Sequence, residues 1–216
     1  MKAKQRRTHG LTLIEVMIVV AVLAVLLALL LPAMRSQGGQ AQRINCVNNL
    51  KQIALSHRQW ALDNNDRYPM KVSNTNGGAM ESVEQGIVWP VYQVMSNELN
   101  TPKILVCPED LTRTSALSFG QNPDCTNLSY FVGADADETE PHKMLVGDSN
   151  LEADGAPIPA GVLTLLTNRN VGWSGKRHKF QGNVALSDGS VQGFSNKRLL
   201  QALPTMGSTT NRILLP

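Results

Sequence analysis

The chain has 216 residues, room for one modest domain once an apolar N-terminal segment is set aside, and at 5% aromatic content its core has to rest mainly on aliphatic side chains. The formal net charge of +3 falls to −1 when Lys2, Lys4, Arg6 and Arg7 are discounted, so the body lacks the broad basic field of a sequence-independent nucleic-acid binder, and no nucleic-acid partner is expected. Three cysteines are too few for a disulfide scaffold, and the spacing of Cys46, Cys107 and Cys125 matches no zinc or redox motif.

From Val16 to Leu31 every residue is apolar, and Leu11, Leu13 and Ile14 extend the run backwards around Thr12 and Glu15. That length is close to the ~20 residues of a membrane-spanning helix. The four basic residues before it keep the N-terminus cytoplasmic and send the remainder across the membrane. An ordinary secretory signal has a shorter apolar region, usually about 7–15 residues, ending in a small-residue cleavage site. Leu31-Pro32-Ala33-Met34 matches that poorly. A plain signal anchor fits the length but leaves Glu15 without a purpose. An acid near the bilayer centre costs roughly 2.5–3.5 kcal/mol on insertion scales, so Glu15 needs a partner.

Gly10-Leu11-Thr12-Leu13-Ile14-Glu15 behind a short basic leader resembles the processing site of type IV prepilins and type II secretion pseudopilins. The resemblance implies cleavage between Gly10 and Leu11 by a membrane prepilin peptidase, followed by methylation of the Leu11 amine. The family most often has Phe where this chain has Leu11. For Glu15 the resemblance implies pairing with the freed amine of a neighbouring subunit, an opposite charge that offsets its burial. For Pro32 it implies a helix-kinking proline, and a simple end to the membrane helix is the alternative.

After Pro32, Ala41, Ile44, Val47, Leu50, Ala54 and Ala61 recur at helical intervals up to Asn64-Asn65-Asp66. If that helix continues the membrane segment, one element runs from about Leu11 to Leu62, roughly 75–80 Å at 1.5 Å per residue. Gly38-Gly39 is its expected weak point. Arg43 to Ile53, followed by Asp63 to Pro69, resembles pseudopilin-like proteins of planctomycetes and verrucomicrobia, as does His178 followed after nine residues by Asp188-Gly189. The expected organisation is a leader at 1–10, a transmembrane helix at 11–34, an amphipathic continuation at 35–66 and a periplasmic head at 67–216. The fold class is α+β and pilin-like, a long N-terminal helix on a small antiparallel sheet.

In the head, Ile104–Cys107, Leu128–Val132, Met144–Gly147 and Val162–Leu166 read as strands. Asp188-Gly189 reads as a two-residue hairpin turn within 184–192. Ser195 reads as the cap of a short helix that ends at Leu203 before Pro204. In an exported body Cys107 and Cys125 are candidates for a disulfide, leaving Cys46 a packed thiol. Asp135, Asp137, Glu138 and Glu140 form a dense acidic cluster, a candidate Ca²⁺ site that a solvated loop explains as well; no other cofactor is expected.

These features describe a non-enzymatic subunit of a type II secretion pseudopilus or related filament in the inner membrane. The implied partners are other copies and other pseudopilins, the prepilin peptidase, an assembly ATPase and a platform membrane protein. A pilus subunit for adhesion, motility or DNA uptake is the alternative within the class. A membrane-anchored hydrolase or ligand-binding protein using His178, Asp188 and the acidic cluster is the alternative outside it, although no serine motif completes a nucleophile–base arrangement.

Overall fold

The computed structural model describes residues 10, 12–35, 38–120, 125–165, 170–206 and 211–216, with the backbone alone at 29–35, 38 and 125. The leader at 1–9, Leu11 and the end of the expected strand at Leu166 lie outside the described residues. The chain divides into two compact units, residues 1–41 and 42–216.

The first unit is built on helix α1, Leu13–Arg35, whose backbone stays helical through Pro32. A second helix, α2, spans Gly38–Leu62, and the expected weak point Gly38-Gly39 forms its first turn. Ser36 and Gln37, where one continuous helix would have to pass, lie outside the described residues.

From Gln42 onward α2 belongs to the head by its packing. Its buried stripe is Cys46, Leu50, Ile53, Ala54, His57, Trp60 and Ala61, spaced at three and four residues. The expected stripe began instead at Ala41 and Ile44, and both are exposed. Counting aliphatic residues alone passed over a cysteine, a histidine and a tryptophan that carry the packing.

Short elements follow: 3₁₀ turns at Pro69–Lys71 and Asn74–Asn76, helices α3 (Met80–Glu84), α4 (Trp89–Val94) and α5 (Ser96–Leu99), then a 3₁₀ turn at Pro102–Leu105. This last turn replaces the strand expected at Ile104–Cys107. Pro102 opens it with a ready-made φ, and the Thr101 hydroxyl accepts from Lys103 N–H.

The strands are β1 (Tyr130–Gly133), β2 (Met144–Asp148), β3 (Leu151–Ala153), β4 (Ala156–Pro157), β5 (Gly161–Leu165), β6 (Val171–Trp173), β7 (Gln181–Leu186), β8 (Val191–Ser195) and β9 (Asn211–Leu215). Among the described residues they form a six-stranded sheet in the order β5-β9-β1-β2-β7-β8 and a three-stranded sheet β4-β3-β6, every pairing antiparallel. The larger sheet is covered on both faces. Tyr130, Val132, Ala185 and Leu214 share a core with α2 and the short helices. Phe131, Val184, Leu186, Ile213 and Leu215 share another with Trp173, Leu151 and Leu199. Double-sided burial explains why β1 and β2 read as unbroken apolar runs rather than alternating ones. Gly182 permits the layering, since a Cβ there would lie 2.4 Å from the Trp173 ring.

The β7–β8 hairpin forms with a three-residue loop, not the expected two-residue turn. Gly189 N–H donates to Leu186 O at 2.9 Å, Leu186 N–H to Ser190 O at 2.9 Å, and Gly189 alone of the loop takes positive φ, at 84°. Asp188 accepts from Ser190 N–H at 2.8 Å and closes the turn. Ser195 caps α6 (Asn196–Ala202) as expected, accepting from Arg198 N–H.

Candidate functional site

At the N-terminus Thr12 and Glu15 form a reciprocal cap on α1. Glu15 Oε2 accepts from Thr12 N–H at 2.7 Å and from its hydroxyl at 2.8 Å, and Glu15 N–H faces Thr12 Oγ1 at 3.4 Å. This is the capping-box geometry of Thr-x-x-Glu, which satisfies donors that the first helical turn otherwise leaves open. Beyond it the described side chains of α1, Leu13 to Ala28, are exposed around the whole circumference, with Leu23 at 52% and Ile18 at 58%. A helix apolar on every side needs an apolar surrounding, from lipid or from other protein. Among the described residues no helix is long and apolar enough to cross a membrane; in α1 the described side chains stop at Ala28, short of the roughly 17–25 residues a span takes. Gly10 is exposed, while Leu11, on the other side of the expected cleavage, lies outside the described residues.

In the head the chemistry gathers around His178. Cys107 bonds to Cys46, with Cα atoms 5.2 Å apart, which ties the loop after Leu105 to α2 and corrects the expected Cys107–Cys125 pairing. The fold brings Cys46 to Cys107 because both line the core beneath the sheet. His178 Nε2 packs 3.5 Å from Cys107 Sγ and 3.5 Å from Asp148 Oδ2. Its Nδ1 lies 2.5 Å from Glu109 Oε2, off the line of a hydrogen bond, and its backbone N–H donates to Glu109 Oε1 at 3.0 Å. Burial by itself would lower the His178 pKa, but the hydrogen bond and charge of Asp148, with the charge of Glu109, outweigh it and raise the value.

The segment carrying this histidine is strained. His178, Lys179 and Phe180 have φ of 54°, 51° and 61°, a left-handed conformation that costs a non-glycine residue roughly 1–2 kcal/mol. Next to it, Arg177 anchors the segment by donating to Ser129 O at 3.0 Å and Ser149 Oγ at 2.9 Å, and it pairs with Asp110 Oδ2 at 3.1 Å. Burial pushes the Asp110 carboxyl up, yet Arg177 and the hydroxyls of Thr112 and Ser129 hold it below the usual carboxylate range. Asp188, joined to His178 by spacing in the sequence, is engaged elsewhere, in its own turn and through its carbonyl with Arg58 at 3.2 Å. The close contacts of the His178 ring run to Cys107, Asp148 and Glu109, and among the described residues no hydrogen bond of the ring runs to a serine hydroxyl.

A model of the prokaryotic N-terminal methylation motif matches residues 5–31. The chain carries a pilin-type N-terminus. That motif is the one expected of type IV pilins and pseudopilins, and it supports a pilin-like subunit processed by a peptidase and assembled into filaments. No curated protein and no solved structure matches the chain.

The four acids of the head do not converge. Asp135 holds Arg212, accepting from its Nε at 2.9 Å and from its backbone N–H at 2.9 Å. Asp137 accepts from the Thr139 hydroxyl at 2.6 Å, Glu138 faces Arg58 Nε at 3.5 Å, and Glu140 pairs with Lys143. Each carboxylate is committed to a different neighbour. Thr12, Glu109, Asp148 and Arg177 escaped the sequence reading. Thr12 had a signal in its spacing from Glu15; the other three owe their importance to contacts across 30 to 70 residues of chain.

Proposed function

We propose that this chain is a pseudopilin, a structural subunit of a type II secretion pseudopilus or related type IV filament, whose activity is assembly rather than catalysis. The carrying observation is α1: a helix apolar around its circumference, capped by Thr12 and Glu15 and lying mostly within the match to the methylation motif. In this reading a prepilin peptidase cuts between Gly10 and Leu11 and the new amine is methylated. The apolar run, which in sequence continues to Leu31, anchors the subunit in the inner membrane with the N-terminus cytoplasmic, and an assembly ATPase and platform protein later draw it into the filament. Glu15 then exchanges its Thr12 partner for the amine of a neighbouring copy. The Cys46–Cys107 bond supports a head on the oxidising side of that membrane.

Intact-mass analysis of the membrane-extracted native protein, with a Glu15→Ala variant assayed for incorporation into sheared filaments, tests this directly. The expected mass begins at Leu11 with one added methyl, and the variant stays out of filaments. An uncut N-terminus, or cleavage after Ala33, overturns the proposal.

A further inference from the structure

Cys46 Sγ, Cys107 Sγ and a ring nitrogen of His178 lie within 4.8 Å of one another, all buried, on α2, the loop after Leu105 and the left-handed segment after β6. Asp148 Oδ2 stands 3.5 Å from Nε2, and Asp148 Oδ1 is buried without a hydrogen-bond partner. A fully enclosed carboxylate oxygen left unpaired is uncommon and calls for an explanation. So does a histidine held on three consecutive left-handed residues, since strain of this kind persists only where the surroundings impose it. Two sulfurs and one imidazole nitrogen make up that cluster; Asp148 stands against the imidazole, its Oδ2 held by Asn183 N–H and Nδ2 and its Oδ1 open, so on reduction a carboxylate oxygen completes a donor set suited to tetrahedral zinc.

We propose that the head, when its disulfide is reduced, binds one Zn²⁺ through Cys46, Cys107, His178 and Asp148. Reduction by a phosphine adds two electrons and two protons to the S–S bond, giving two thiols, while the phosphine takes oxygen from water and becomes its oxide. Zinc then displaces both thiol protons to solvent, and the sulfurs separate to the spacing set by Zn–S bonds of about 2.3 Å. His178 binds as neutral imidazole through Nε2, with Glu109, which accepts from the His178 backbone N–H, holding the segment that carries the ring. The disulfide and the ion exclude one another, because zinc binds the two sulfurs as thiolates, whereas in the disulfide they are oxidised and bonded to each other. In either state α2 and the loop after Leu105 stay cross-linked, so the device preserves one tether under reducing and oxidising conditions.

The test uses the full chain in detergent, reduced with a phosphine, titrated with Co²⁺ and then competed with Zn²⁺. Expected are one equivalent of Co²⁺ per reduced chain, with the visible bands of a tetrahedral ion and charge transfer from two thiolates, and no binding by the oxidised chain. His178→Gln and Asp148→Asn weaken binding by about tenfold or more, the scale on which metal sites respond even to the loss of supporting residues. Cys125→Ser binds as the parent does. Equal binding by oxidised protein, charge transfer from three thiolates, or an unchanged spectrum in folded Asp148→Asn overturns the proposal. If His178→Gln fails to fold, the thiolate count in the parent spectrum decides.

Discussion

In α1 every described side chain from Leu13 to Ala28 is exposed, whereas α2 from Cys46 onward hides Leu50, Ile53 and Ala54 completely beneath a sheet. α1 is apolar on every side and α2 along one stripe, and they differ too in what surrounds that apolar surface. The head supplies α2 with its own cover: short helices on one side, β1 and β9 on another, and a disulfide to Cys107. Among the described residues of unit one nothing covers α1, and a helix apolar on every side needs lipid or other protein around it. A change in the head should therefore act on folding, and a change in α1 on location and assembly.

The sharpest way to break this contrast is to cut the tether. A Cys46→Ser/Cys107→Ser double variant opens a loop with a sequence separation of 61 residues, and loop-closure entropy puts the loss at about 4 kcal/mol. Urea unfolding in metal-free buffer should show that loss in the head, with membrane retention unchanged. Next in size is Leu23→Arg, a charge in the middle of α1 that costs roughly 3 kcal/mol on insertion scales. Fractionation should find the variant released from membranes, while its head melts where the parent's does. Identical membrane retention would remove the distinction between the two helices.

Acid and alkali probe the head alone. Burial drives the His57 pKa down to about 4, against the bond its Nδ1 makes with Ile53 O. With an unfolded value near 6.5, the unfolded chain takes up the proton first. His57 therefore leaves stability intact above pH ~6.5 and erodes it as pH falls towards 4, by something on the order of 3 kcal/mol. The raised pKa of His178 acts with the opposite sign. Its contribution is full below pH ~6.5 and is lost as pH rises through the folded value. Denaturant midpoints from pH 5 to 9 should fall at both ends, with His178→Gln flattening only the alkaline side. The smallest expected effect is Ser195→Ala, which removes the α6 cap at a cost of about 1 kcal/mol or less and should lower the melting point slightly.

Much of this was legible because it is local. Ser195 reaches only as far as Arg198, and Asp188-Gly189 turns back within its own hairpin, although the loop holds one residue more than expected because Leu186 pairs with Ser190. The strand runs at β1, β2 and β5 were readable from apolar content alone. By contrast, Ile104–Cys107 has the composition of a strand but is bent by Pro102 and held down by Cys107, a constraint that comes from α2 some 61 residues earlier. The acidic run from Asp135 to Glu140 resembles a cation site in sequence, but Arg212 and Arg58 arrive from other elements to claim Asp135 and Glu138, and Lys143, three residues along the same loop, claims Glu140.

The sequence by itself determined what needs only neighbours along the chain: the methylation motif, the apolar helix that forms most of it and the Thr12–Glu15 spacing that caps that helix. The pairing of Cys107, the stripe of α2 that is buried and the placing of His178 between a disulfide and two carboxylates were decided by the tertiary structure. These depend on which distant segments the core brings together, and composition carries no record of that when several cysteines and many acids offer the same chemistry.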